Sequence, residues 1–377
     1  MPPPTPPPPP PPPTSPPSSL IADEVFDLSP IHALLQGLID YAGLFPPAKL
    51  DMADAVKHYA GYLRSPHSWM LGRFICPVSR LEEFRNATLG LLPGGGGQQM
   101  GSSHASRAMA DGDEGLHVVP PDTHPHHADD PWPISAIIDG DLDEDLDAIF
   151  AFNREHSLPA KGLATVDAIE IKVPTSSTAD AAVFVDEALD LIPEEVYPFF
   201  EIPVFTDHGQ APDLRGLVTA LSGADAGAKL RTGGVTPETF PSALRVAEFI
   251  VACAQADVPF KATAGLHHPI RAEHPLTYEP NCPRGVMHGF LNVFLAAAFV
   301  QRHHLDIETT AAILSETNPR AFTFNVRAVS WRKLSVEAAD LGIARETFAL
   351  SFGSCSFTEP VEDLLKLGLI QAGLDLI

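Results

Sequence analysis

One pattern repeats along most of this 377-residue chain: a short apolar or β-branched run, a polar or glycine-containing turn, and a stretch with apolar residues at helical spacing. Strands that alternate with helices pair in parallel, and each helix crosses over the sheet. Eight such units fit a closed (β/α)8 TIM barrel, with an open doubly wound sheet as the alternative. The predicted strands are 38–45, 70–76, 134–139, 168–173, 196–202, 228–232, 259–265 and 348–353.

Four stretches between the predicted strands have helical features. Residues 141–156 carry acidic side chains in the first turn, where they complement the helix dipole. Thr236, Pro237 and Glu238 are typical of a helix start, and that helix would end near Ala256. Apolar spacing predicts two more helices, at 179–192 and 286–303. No G-x-G-x-x-G motif follows the first strand, which argues against a dinucleotide-binding fold.

Two low-complexity segments lie outside this pattern. Residues 1–19 hold 13 of the 39 prolines, and such a segment forms extended polyproline II rather than a core. Residues from about 93 to 133 combine four consecutive glycines with serines and histidines, a composition that buries too little surface to order itself. We predict a disordered tail (1–19), then one barrel domain (20–377) with a disordered insertion at about 93–133.

The charge balance limits the classes of partner. The formal net charge is −24, and so acidic a surface repels nucleic acid and anionic lipid, although a local basic pocket for a small anion is compatible with it. None of the four cysteines forms a C-x-x-C pair, no run of about 18 apolar residues that could span a membrane is present, and no signal peptide or transit peptide is recognisable. We therefore expect a cytoplasmic protein with a small-molecule substrate and no nucleic-acid or membrane partner. The sequence is compatible with either a monomer or a homo-oligomer.

Charged residues within apolar strands are the main site candidates. In (β/α)8 barrels the active site lies at the carboxyl ends of the strands. Lys229 and Lys261 stand out, because an unpaired lysine inside a short apolar strand costs free energy. The full set of polar candidates at the strand ends is Asp40, Arg73, Asp139, Glu170, Lys172, Glu201, Lys229, Arg231, Lys261, Thr263, His267, His268, Ser351, Ser354 and Cys355.

The two lysines lie on consecutive predicted strands, which would be neighbours in a barrel. If both face the barrel axis, their ammonium groups share one pocket, where like charge and desolvation both favour a neutral amine. A neutral amine can attack a carbonyl carbon and form a Schiff base. The alternative is a structural role, in which Glu170 and Glu201 neutralise two buried lysines.

Two short motifs carry a family resemblance. Residues 229–233, KLRTG, resemble the K-T-S-T-G segment on the sixth strand of deoxyribose-phosphate aldolases, and residues 261–265, KATAG, are similar to the K-A-S-G-G segment on their seventh strand. The resemblance covers about a tenth of the chain. It implies a class I, Schiff-base barrel enzyme in which Lys229 is the nucleophile and Lys261 tunes it electrostatically. Where that family has a proton-transferring aspartate, after Glu-Ile on the fourth strand, this chain has Lys172.

Glycine-rich turns at the same strand ends favour an anionic ligand. Gly233 and Gly234 lead into the helix predicted at Thr236, whose N-terminus would add positive potential. Gly353 and Ser354 follow the last strand, where barrels often hold phosphate. A tight turn that needs small residues is the structural alternative for each. The predicted substrate-binding residues are Arg231, Thr232, Gly233, Gly234, Thr263, Gly265, Gly353 and Ser354.

Three functions remain open. The leading hypothesis is a cofactor-free, Schiff-base-forming lyase of aldolase type. Its substrate would be a small carbonyl compound, either phosphorylated or not. The second is a divalent-metal-dependent enolate-type lyase or isomerase, with Mg²⁺ held by Asp139, Glu170 and Glu201. The third is a non-catalytic binding module, favoured if the charges form closed ion pairs without a cavity. The catalytic residues of the leading hypothesis are Lys229, Lys261, Glu170, Glu201 and His267, the last as a general acid or base.

Overall fold

The computed structural model describes residues 29–94, 129–173, 178–204 and 212–371, which contain thirteen strands and eleven α-helices. The strands are β1 (Ile39–Tyr41), β2 (Leu71–Pro77), β3 (Trp132–Ile137), β4 (Ala164–Lys172), β5 (Tyr197–Ile202), β6 (Gly227–Arg231), β7 (Phe260–Thr263), β8 (Ala272–Pro275), β9 (Arg284–Met287), β10 (Phe322–Phe324), β11 (Ala328–Trp331), β12 (Leu334–Glu337) and β13 (Ala349–Ser354). The helices are α1 (Pro30–Leu35), α2 (Met52–Tyr62), α3 (Leu81–Ala87), α4 (Leu142–His156), α5 (Thr178–Leu191), α6 (Leu214–Thr219), α7 (Ala243–Ala256), α8 (Phe290–His303), α9 (Ile307–Leu314), α10 (Ala338–Thr347) and α11 (Thr358–Lys366).

Eight parallel strands close into one barrel, in which β1 to β7 follow one another and β13 lies between β7 and β1. The predicted (β/α)8 barrel is confirmed, and each of the eight predicted runs overlaps one barrel strand. Parallel barrel strands are buried on both faces, so they appear in a sequence as nearly continuous apolar runs. The predicted tail 1–19 and most of the predicted insertion lie outside the described residues. The strand β3 begins at Trp132, next to the predicted end of the insertion at about 133.

The helix after β6 begins later than predicted. Thr236 makes no side-chain capping hydrogen bond, and Pro237–Thr239 form a single 3-10 turn. The helix α7 starts at Ala243, where the Ser242 hydroxyl accepts a hydrogen bond from the amide of Arg245. The N-terminus of α7 is therefore separated from the glycines that follow β6. The start of α4 agrees with the predicted range 141–156, since Asp141 is the N-cap of this helix and its side chain accepts hydrogen bonds from the first turn.

The long segment between β7 and β13 builds an outer layer on the barrel. It contains the β8–β9 hairpin, the antiparallel sheet β10–β11–β12 and helices α8 to α10. The helix α8 begins at Phe290 rather than at the predicted Val286, because Arg284–Met287 pairs with β8. Residues 290–300 of α8 are apolar on every side of the helix except at Asn292, and all of them are buried. Phe290 stacks on Phe352 of β13, with ring centroids 5.2 Å apart. Within the described ranges, no helix is long and apolar enough to cross a membrane.

Candidate active site

Lys229 on β6 lies at the centre of a buried ion-pair network. Its Nζ atom is 2.6 Å from Oε2 of Glu170 on β4 and 2.7 Å from Oε2 of Glu201 on β5. Strand register explains the second contact, because Glu201 and Lys229 are directly paired across β5 and β6. The Lys229 side chain is only 6% exposed. The network therefore holds the buried Lys229 side chain inside the barrel, two residues before the carboxyl end of β6.

Lys261 on β7 is enclosed more completely. Its Nζ atom donates to Oδ2 of Asp40 at 2.8 Å and to Oε1 of Glu170 at 2.7 Å. Ser351 on β13 donates to the same Asp40 oxygen at 2.7 Å. Burial alone would lower the pKa of Lys261, but the two carboxylates outweigh it and raise that pKa above its ordinary value. Lys261 is therefore a fixed positive charge.

Glu170 is the bridge between the two lysines. Its oxygen Oε2 faces Lys229 and its oxygen Oε1 faces Lys261. The hydroxyl of Ser135 on β3 also donates to Oε1, at 2.8 Å. Burial opposes ionisation, but the two ammonium groups overcome it and bring the pKa of Glu170 down to about 2. The two lysines are neighbours as predicted, but their ammonium groups do not face each other directly, because the Glu170 carboxylate lies between them. Each ammonium group has two carboxylate partners.

A cavity of about 660 Å³ opens onto this network. Lys229, Glu170 and Glu201 line it, whereas Lys261 lies behind Glu170 and does not. The side chain of Glu201 is 18% exposed, and its carboxylate also contacts Nε of Arg231 at 3.4 Å. Burial opposes ionisation of Glu201 as well, but Lys229 and then Arg231 hold its pKa below its usual range. Of the two candidate lysines, only Lys229 is placed to meet a ligand.

The predicted substrate-binding residues divide into two groups. Arg231, Gly234, Thr263 and Gly353 line the cavity. The other four, Thr232, Gly233, Gly265 and Ser354, do not line it. The Thr232 hydroxyl donates to the carbonyl oxygens of Ala264 and Thr263, and the Ser354 hydroxyl donates to that of Ser356 at 2.6 Å. These two hydroxyls tie the loops together.

The glycines after β6 and β7 serve the packing of Phe240. A Cβ atom on Gly233 would lie 2.4 Å from the Phe240 ring, and one on Gly265 would lie 2.7 Å from it. Gly265 also has a φ of 73°, in the left-handed region that favours glycine. The predicted anion cradle loses its main support here, since α7 does not begin at these glycines. Close approach to the Phe240 ring accounts for Gly233 and Gly265, whereas Gly234 lies against Thr239 and lines the cavity.

Replacing Gly265 with alanine is expected to destabilise the fold by about 2 kcal/mol, because it combines left-handed backbone strain with overpacking against Phe240. Urea unfolding followed by circular dichroism would measure this change. The matched control is Gly342→Ala in α10, where an added Cβ would meet nothing within 4 Å. That variant should be neutral or slightly more stable, because alanine has the higher helix propensity. Equal stability of the two variants would contradict the packing role of Gly265.

Asp139 does not join the other two carboxylates of the predicted magnesium site. It is exposed, and its carboxylate accepts hydrogen bonds from the backbone amide and the hydroxyl of Ser79, at 3.0 and 2.6 Å. Glu170 and Glu201 are instead paired with Lys229. Among the described residues, no group of three or more His, Cys, Asp or Glu side chains has the geometry to hold a metal ion. The residues predicted for Mg²⁺ are thus not assembled as a site.

A second polar cluster borders the same cavity. Nδ1 of His267 is 3.2 Å from Oε2 of Glu359 and 3.9 Å from Sγ of Cys355. The Tyr278 hydroxyl, from the loop between β8 and β9, reaches both Glu359 at 3.1 Å and Cys355 at 3.7 Å. Burial lowers the pKa of His267, but its contacts with Cys355 and Glu359 outweigh this and raise it to about 9. His267 is therefore a cation at neutral pH.

Several members of these networks carried no assigned role in the sequence analysis. Asp40 and Arg73 were candidates only as polar strand residues, and Ser135 and Glu359 were not candidates. Arg73 forms a bidentate ion pair with Asp167, at 2.8 and 2.7 Å, and its amide donates to Asp40. Alternation inside β2 and β4 could have indicated the Arg73 pair. No local signal marks Glu359, which lies in the first turn of α11.

No family model, no curated protein and no solved structure matches this chain. The resemblance to deoxyribose-phosphate aldolases therefore rests on the two strand motifs around Lys229 and Lys261.

Proposed function

We propose that this protein is a Schiff-base-forming lyase of aldolase type that acts on a small carbonyl compound, with Lys229 as the nucleophile. The supporting observation is the different placement of the two lysines. Lys229 lines a cavity of about 660 Å³, while Lys261 is fully enclosed behind Glu170. A nucleophile must reach its substrate, whereas a positive charge that tunes it need not. Under this proposal Lys261 is a positioning residue.

The carboxylates around Lys229 would handle protons. Attack requires the neutral amine, so a neighbouring carboxylate must accept the ammonium proton as the carbonyl compound enters. Glu201 suits this role because it lies on the cavity wall and contacts Nζ of Lys229 at 2.7 Å. The amine then adds to the carbonyl carbon, and an acid on the cavity wall gives one proton to the hydroxyl group of the adduct, which leaves as water while the protonated C=N bond forms. The resulting cation withdraws electrons from the neighbouring carbon, so that a C–C or C–H bond there can break.

His267 is the further acid on the cavity wall. Its imidazolium, held by Glu359, could donate a proton to a leaving hydroxyl group. This assignment rests on its position and on the Glu359 contact at 3.2 Å. Under the proposal, His267 acts at the side of the cavity formed by the ends of β7 and β13, and Glu201 acts beside Lys229.

The net charge and the free cysteines support the proposal of a cytoplasmic enzyme that acts on a small molecule. The net charge of −24 disfavours nucleic acid as a ligand. All four cysteines are free thiols, which fits a reducing compartment. The metal-dependent alternative has less support than the Schiff base, because Asp139 stands apart from Glu170 and Glu201. The binding-module alternative is disfavoured by the open cavity beside the ion pairs.

The test is reductive trapping of the Schiff base. We would incubate the full chain with sodium cyanoborohydride and a panel of aldehydes and 2-oxo acids, and read each lysine by peptide mass spectrometry. Lys229 should be alkylated with at least one panel member, because hydride converts the C=N bond into a stable secondary amine. Lys261 should stay unmodified, and exposed Lys161 reports the background. If exposed lysines are labelled and Lys229 is not, the proposal is overturned. If a panel compound is turned over and a chelator abolishes that turnover, the metal-dependent alternative is favoured.

A further inference from the structure

Two cationic side chains stand one layer above the reactive lysine. Strand alternation places Lys172 two residues beyond Glu170 on β4, and Arg231 two residues beyond Lys229 on β6. Each is the last residue of its strand, and both line the cavity. Two residues of parallel strand advance about 6–7 Å. The two cations therefore flank the cavity at a fixed height above the Lys229–Glu170 pair.

These cations are the least neutralised charges of the cavity wall. The side chain of Lys172 is exposed and makes no ion pair or hydrogen bond within the described part of the chain. Arg231 has a side chain that is 51% exposed, and its Nε contact with Glu201 is long, at 3.4 Å. The guanidinium contributes one more weak contact, from Nη1 to the carbonyl oxygen of Gly233 at 3.5 Å. Both side chains can still bind an anion.

The cavity charge contrasts with that of the whole protein. The described lining contains the cations Lys172, Lys229, Arg231 and His267 against the carboxylates Glu170 and Glu201, in a chain whose net charge is −24. A local excess of positive charge concentrates small anions from solution. The opposite wall, from the ends of β1 to β3, is apolar and is formed by Ala42, Phe45, Pro46, Ile75, Ile137 and Ile138. A ligand that fits both walls carries an anionic group on an aliphatic body.

We propose that Lys172 and Arg231 form an anion subsite, and that the substrate is a short-chain carbonyl compound whose anionic group lies roughly four bonds from the carbonyl carbon. The height of the two cations above Lys229 sets that spacing. This inference rests on the proposed Schiff base, and it gives the anion a different location from the glycine turns after β6 and β13. A carboxylate and a phosphate monoester share the required chemistry.

The test compares the rates at which three aldehydes label Lys229 under reductive trapping. Pentanal is neutral, glutaric semialdehyde carries a carboxylate at the inferred distance, and glyceraldehyde phosphate carries a phosphate there. The wild-type protein should prefer an anionic probe over pentanal by about tenfold or more at low ionic strength, and salt should reduce this preference. Lys172→Met should abolish the preference, and Lys172→Arg should retain it. Lys161→Met, a change at an exposed lysine outside the cavity, is the matched control.

The outcomes separate the subsite from the Schiff base. If no aldehyde labels Lys229, the proposed function fails. If all three label it at similar rates, or if Lys172→Met keeps the anionic preference, the Schiff base stands and the subsite is overturned. A preference for glutaric semialdehyde over glyceraldehyde phosphate would identify the anion as a carboxylate, and the reverse would identify a phosphate.

Discussion

Lys229→Arg is expected to lower the Schiff-base activity on the order of a thousandfold or more. Arginine keeps the positive charge between Glu170 and Glu201, so the fold should persist, but a guanidinium is always protonated and cannot add to a carbonyl carbon. A probe that needs no knowledge of the natural substrate is exchange of the α-hydrogens of propanal in heavy water, followed by NMR. A Schiff base acidifies those hydrogens, so the wild-type protein should catalyse the exchange.

Two comparisons make this result specific. Lys161→Arg changes an exposed lysine paired with Glu155 and should leave the exchange rate unchanged. The circular dichroism spectrum and urea midpoint of Lys229→Arg should match those of the wild-type protein closely enough to exclude unfolding. Undiminished exchange in a folded Lys229→Arg variant would show that another amine, or no amine, carries the chemistry.

Glu170→Gln is expected to destabilise the fold by about 3 kcal/mol or more at neutral pH. The side chain is only 1% exposed, and its carboxylate is shared by Lys229 and Lys261. Removing one partner of a buried ion pair leaves an uncompensated charge. The amide group of glutamine would also direct N–H donors at an ammonium group. Urea unfolding of both proteins at neutral pH measures the difference.

The same pair of proteins should show a defined pH dependence. The pKa of Glu170 falls from 4.5 to about 2 on folding, which corresponds to about 3 kcal/mol of stability. Because the folded-state pKa is the lower one, this contribution is present above pH 4.5 and is lost as the pH falls toward 2. The stability difference between the wild-type protein and Glu170→Gln should therefore shrink over that interval.

A surface carboxylate provides the control for both measurements. Glu83 pairs with Arg80 at 2.7 Å, and its side chain is 49% exposed. Solvent screens such pairs, so Glu83→Gln should change the stability by no more than about 0.5 kcal/mol. If Glu170→Gln is equally mild, the carboxylate between the two lysines does not hold the network together.

The barrel and its charged centre could be predicted from local sequence features. Each barrel strand is buried on both faces, so it appears as an apolar run, and Lys229 and Lys261 are conspicuous within two such runs. Their strands are adjacent in the barrel and their Cα atoms are paired in register. Glu170 and Glu201 followed from the same reasoning. Strand type and alternation are local properties, which is why these four residues were found without the tertiary structure.

The tertiary structure decided what these charges contact and which of them reach the cavity. Closure of the barrel brings Asp40 to Lys261 across 221 positions of sequence, and it leaves Asp139 on Ser79 instead. Of the glycines after β6 that were predicted as an anion cradle, Gly233 packs against Phe240, and α7 begins only at Ala243. The sequence by itself thus determined the barrel and the kinds of charge inside it. The pairing of those charges depended on ring closure and loop paths, because long-range contacts of this kind leave no periodic signal in the chain.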